Sequence, residues 1–176
     1  MGRKMECLFA GVILTVWGII FFPVETQSAG EEKGIPMIVQ SFAVKELRPG
    51  DVWKVYLKAS DLNGKMKYIT AVVSQPGVGS YPVIMTTIKE ENEKELSGYI
   101  YLNTDPIRLA RVFNLTLTLT VNIKDDMGQF SNPVVFPTAF VAKPTPQAPP
   151  EGIFKERDLS PITVTIRTEE GRGRFR

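Results

Sequence analysis

The sequence predicts an all-β protein, a single antiparallel β-sandwich of about seven strands set between an N-terminal export segment and a C-terminal tail. Three observations predict it. In residues 113–124, Phe113, Leu115, Leu117, Leu119, Val121 and Ile123 alternate with Asn114, Thr116, Thr118, Thr120, Asn122 and Lys124. A period of two puts one face on a core and the other in water, whereas a helix would spread the same apolar side chains around its circumference. Looser alternation runs through residues 36–142, broken by Gly, Asn, Asp and Pro at sandwich-like intervals. Lastly, the roughly 145 residues beyond the export segment suffice for one self-supporting hydrophobic core.

The chain opens on Arg3 and Lys4, an apolar run over residues 8–22, Pro23, and the small residues Ser28, Ala29 and Gly30. That is the layout of a secretory signal peptide, read as a helical segment over residues 1–30. Cleavage after Gly30 or after Ser28 is sterically acceptable; cleavage after Ala29 would place Gln27 where a small side chain is wanted. Signal cores hold about 7–15 apolar residues and membrane helices about 20, so an uncut anchor stays the alternative, and with it a membrane-anchored accessory subunit. Cys7 precedes the apolar run, whereas a lipid-modified cysteine would end it. Export places the rest of the chain in a periplasm, on a cell surface or in the medium.

Within residues 31–142 the strands are assigned in order. Residues 35–44 open the sandwich, and Arg48-Pro49-Gly50-Asp51 turns the chain. Trp53, Val55, Leu57 and Ala59 alternate with Lys54, Tyr56, Lys58 and Ser60 in a half-buried strand. Asp61-Leu62-Asn63-Gly64 reverses it, because Asn-Gly tolerates the positive φ of a tight turn. Residues 66–74 form the next strand, with Ile69, Ala71 and Val73 inward, ended by Gln75-Pro76-Gly77. Residues 82–88 and 96–103 follow, separated by a charged stretch, with Tyr99 and Tyr101 or their neighbours supplying aromatic packing. After the long strand, Asp125-Asp126-Met127-Gly128 turns into residues 130–141, where Pro133 and Pro137 suit an edge.

Two stretches carry a family resemblance. Leu57-Lys58-Ala59-Ser60-Asp61-Leu62-Asn63-Gly64 resembles the second-to-third strand corner of bacterial immunoglobulin-like and fibronectin type III-like modules. Residues 121–132, from Val121 through Asp125-Asp126-Met127-Gly128 to Asn132, are similar to their last hairpin. The resemblance covers residues 36–142 and implies an immunoglobulin-like sandwich. It implies no activity, because one superfold hosts many functions. The chain lacks the paired core cysteines of antibody-type domains.

Residues 143–152, rich in proline, read as an extended linker. Residues 153–176 form a tail with one candidate strand at 161–167, in which Ile162, Val164 and Ile166 alternate with Thr163, Thr165 and Arg167. No neighbouring segment is available to pair with it. It folds back on its own sheet, completes the sheet edge of a partner protein, or stays disordered. The second outcome makes Ile162, Val164 and Ile166 partner-binding residues. The last six residues are basic and glycine-spaced.

Composition restricts the chemistry. The chain has no histidine, and its one cysteine is Cys7, so the mature part can form no internal disulfide, Cys/His zinc site or His-dependent nucleophile system. Lys/Arg and Asp/Glu are interspersed around a net charge of +2, which does not call for nucleic acid. Glu90, Glu91, Glu93 and Glu95 could be imagined as an acid pair for a carboxylate-dependent hydrolase, but Lys89, Asn92 and Lys94 interleave them as in a solvated loop. Asp61, Asn63, Asp125 and Asp126 lack the dense spacing of a calcium loop and fit turns. The expectation is an exported, non-catalytic binding or structural module of the cell envelope that needs no cofactor or metal, takes a protein partner, and meets a membrane only through an uncut N-terminus.

Overall fold

The computed structural model describes residues 34–104 and 115–167. The expected signal helix lies outside these residues, as do Phe113 and Asn114. What is described is all β apart from one 3-10 turn at Glu90–Asn92. The strands are β1 Met37–Ala43, β2 Glu46–Leu47, β3 Val52–Ser60, β4 Met66–Gln75, β5 Gly79–Ser80, β6 Ile84–Thr87, β7 Glu95–Asn103, β8 Thr116–Asp125, β9 Val134–Phe140 and β10 Asp158–Ile162.

They form two sheets. The first has the order β1-β3-β7-β10; the second runs β2-β9-β8-β4-β5, with β6 also paired to β4. The sheets are mixed rather than purely antiparallel, because β2 runs parallel to β9 and β10 parallel to β7. Both exceptions come from segments that reach their partner by a crossover instead of a hairpin, the only way two strands can run the same direction.

The core lies between the inner faces. Leu117, Leu119, Val121 and Ile123 of β8 are wholly buried, as are Trp53, Val55 and Leu57 of β3 and Val73 of β4. They share one cluster with Ile69, Ala71, Ile100, Leu102 and Phe140. Burying each large apolar side chain contributes roughly 1.5–3 kcal/mol, so the period-two pattern fixes which face turns inward. Tyr99 and Tyr101 lie on the outer face of β7, and Ile100 and Leu102 supply its core contacts.

Turn chemistry joins the strands. The buried Asp61 accepts hydrogen bonds from the Asn63 amide at 2.9 Å and the Lys65 amide at 3.1 Å, and Gly64 takes φ +65°. Asp125 accepts from the Gln129 amide at 2.7 Å in the β8–β9 turn. Backbone donors thus occupy the Asp61 and Asp125 carboxylates weighed as calcium ligands, and Asp126 pairs with Lys65 at 3.4 Å.

The fourth expected strand shrinks to β6, Ile84–Thr87, because Pro82 and the residues around it pair with nothing in a ladder. The two-residue strands β2 and β5 are additional. The tail strand is β10, which ends at Ile162; residues 163–167 run on without ladder pairing. The folded unit therefore continues past residue 142 and includes the described part of the tail, to residue 167.

Candidate functional site

Three surfaces could meet a partner: the outer face of each sheet and the sheet edges. The outer face of the four-stranded sheet is aromatic. Phe42, Tyr56 and Tyr99 sit opposite one another on β1, β3 and β7, with ring centroids 6.3 Å and 5.5 Å apart, and Tyr101 lies 6.2 Å from Tyr99. The chain covers part of this face itself. After β9 the proline-rich segment crosses it, held where the Thr145 amide donates to Glu46 at 2.7 Å and the Lys45 amide donates to Gln147 at 3.1 Å. A cleft between strap and sheet is lined by Phe42, Val44, Val52, Tyr56, Pro144 and Pro149. Farther along, Phe154 packs on Tyr56 at 5.6 Å.

A polar clasp fastens the strap. Tyr56 donates to Glu156 at 2.5 Å, and Lys54 donates to the other Glu156 oxygen at 3.1 Å while lying 4.2 Å from the Tyr99 ring centre. Burial, reinforced by the bond to Glu156, holds the Tyr56 hydroxyl above its ordinary pKa. For Lys54, burial pulls downward, but the Glu156 bond and nearby negative charge outweigh it and the pKa rises. The Tyr56 hydrogen bond, then Lys54, lowers the Glu156 carboxyl. Lys54 is half-buried and Glu156 is exposed, so the clasp positions the strap more than it stabilises the fold.

The tail then closes one side of the sandwich. Arg157 donates to the buried Asn92 at 2.7 Å and pairs with Glu91, which gives that carboxylate a structural role. Glu93 pairs with Lys67 at 3.0 Å. The Arg157 carbonyl accepts from the Tyr99 amide at 2.8 Å, and β10 follows β7 from there. Gly98 makes this possible: a Cβ there would lie 2.5 Å from the Arg157 oxygen and 2.8 Å from Leu159. Ser160 of β10 accepts from Thr86 of β6 at 3.1 Å, which bridges the two sheets at this seam.

The expected partner-binding residues all lie here. Ile162 is buried in the domain's own core, and Val164 and Ile166 pack against it half-buried. At the far end the buried Gln75 donates to the Arg167 carbonyl at 2.8 Å, and the Arg167 amide donates to Tyr81 at 2.7 Å. The lone strand of the sequence thus folds back on its own domain. Sequence reasoning missed the strap's anchors, Glu156 and Gln147, and Gln75, which holds the end of the tail. Glycine inside a strand, at Gly98, was the readable signal of a close approach.

The outer face of the six-stranded sheet is open. Val72, Thr120 and Val135 form one row across β4, β8 and β9; Met85, Thr70 and Asn122 form the next. Ser74, Thr118 and Pro137 make a third row. Val135 is 57% and Met85 53% exposed, and these three rows carry no charged side chain. The edges are less inviting. A register break at β1 displaces Val39, Pro161 removes a donor from β10, Pro82 divides β5 from β6, and β2 covers only the end of β9. Such interruptions discourage edge-to-edge pairing with another chain. No protein-family model matches this chain, and no curated protein is similar to it.

Proposed function

We propose that this chain is an exported, non-catalytic immunoglobulin-like module of the cell envelope that binds a protein partner through the outer face of its six-stranded sheet. The observation that carries the reading is the contrast between surfaces. One sheet face is partly covered by the chain's own strap, the edges are interrupted, and the other face is uncharged over three rows and carries the exposed Val135 and Met85. Faces of this composition can be desolvated at low cost, because no ion has to leave water.

Strand order supports the immunoglobulin-like assignment. β1-β3-β7 and β9-β8-β4 follow the arrangement of the A-B-E and G-F-C strands of that fold, and β10 takes the place beside E that strand D fills elsewhere. Export rests on the basic tip, apolar run and small residues of positions 1–30.

A photo-crosslinking residue at Thr120 tests the reading in the exported full chain, with the same residue at Lys58 on the strapped sheet as reference. Capture of an envelope protein from Thr120 and not from Lys58, weakened by Val135→Asp, is the expected result. Equal capture from both positions, or capture from Lys58 alone, would refute it. The intact mass of the mature chain reports whether the first 28 or 30 residues have been removed.

A further inference from the structure

We infer that the C-terminal arm, residues 153–167, is exchangeable: two copies of this chain can trade arms, each closing the seam of the other. This goes beyond the open-face reading and rests on different residues.

The acceptor is built for this particular arm. Gly98 leaves room for Leu159 and the Arg157 carbonyl, the core receives Ile162, and Gln75 with Tyr81 grips the backbone of Arg167. A second copy offers the same acceptor and the same arm, so every contact is reproduced in a closed, two-fold exchange.

The tether allows it. The Val141 amide is tied to the Leu47 carbonyl, and the next backbone–backbone bond among the described residues is that of Arg157 with Tyr99. Between them the chain is held by side chains: Glu46 on the Thr145 amide, Gln147 on the Lys45 amide, and Ser97 on the Lys155 amide. Pro144, Pro146, Pro149 and Pro150 keep the stretch extended at ~3.1 Å per residue, long enough to reach a neighbouring domain. Because β10 pairs parallel to β7, no hairpin commits the arm to its own chain.

Exchange leaves the arm's contacts unchanged, so the balance is between the effective concentration of the tethered arm, set by the tether's length and stiffness, and the concentration of the protein. Exchanged pairs therefore form at high concentration and persist on dilution, since an arm must leave the core before it can return.

Disulfide trapping tests this in the full chain with Cys7→Ser. Tyr101→Cys and Pro161→Cys are placed in separate chains; the two positions are Cα partners in the β7–β10 ladder. The chains are mixed, refolded together across a range of concentrations and oxidised. The expected product has twice the chain mass, contains one copy of each variant, and increases with concentration at refolding. The double variant in one chain, refolded dilute, closes within the monomer. A mixed product no greater than the like-with-like background at every concentration overturns the proposal, as does failure of the double variant to close.

Discussion

Thr138 has the only buried side-chain oxygen without a hydrogen-bond partner among the described residues, and it lies on β9 between the core residues Phe136 and Phe140. A hydroxyl taken from water and left unpaired costs stability, while valine keeps its shape. Thr138→Val is expected to raise stability by up to about 1 kcal/mol, read from the denaturant midpoint at constant slope. A loss of similar size would show that the hydroxyl is satisfied. Glu156 supplies a pH signature of the clasp. Its folded pKa is below the usual 4.5, so its contribution is complete above that value and is lost as pH falls through the lower, folded one. The strap should therefore loosen on acidification below pH 4.5, and Glu156→Gln should remove the part of that acid step seen as faster hydrogen exchange around residues 153–157, leaving the part that Glu46 sets at Thr145. An identical acid profile in the variant would place the titration elsewhere.

β8 shows how far an element can be read in advance. From Leu117 to Ile123 the predicted inward residues are all fully buried, because a strand between two others has one environment per face and the alternation records it. β3 and β4 were legible for the same reason, and Asn63-Gly64 marked their turn through its backbone preference. β2 and β5 were not legible: two residues cannot express a period, and a long-range partner alone fixes their pairing. The tail was half legible, with Ile162, Val164 and Ile166 correctly read as one apolar side, while the choice between own sheet and foreign sheet depended on a notch in β7 far along the chain. That notch gives an element-scale prediction. Gly98→Val would force β10 away from β7, with the overpacking cost of about 1–3 kcal/mol seen on thermal unfolding. Limited proteolysis should then cut within residues 143–157 sooner than in the parent. Unchanged protease resistance would mean that the arm docks independently of Gly98.

At the scale of the whole molecule, the arm decides whether residues 34–141 stand as a domain by themselves. The edge of β7 away from β3 is filled from the C-terminus, by β10, by way of a strap. Among the described residues, the segment between β4 and β7 makes only the short strands β5 and β6, both on the opposite sheet, and only β10 pairs with that edge of β7. A chain ending at Pro150 would uncover Ile162's place in the core, the seam filled by Leu159, Val164 and Ile166, and the buried Gln75 side chain. Loss of one buried isoleucine costs about 2–5 kcal/mol, against a typical total of about 5–15 kcal/mol for a domain. The shortened chain is therefore expected to unfold many degrees below the full one and to bind a dye selective for exposed apolar surface. Adding the arm back as a separate peptide should restore much of the difference, because the acceptor recognises the strand through contacts and not through the tether. A shortened chain as stable as the full one would make the arm an ornament on a complete sandwich, and recovery only when the arm is covalently attached would assign its effect to the strap.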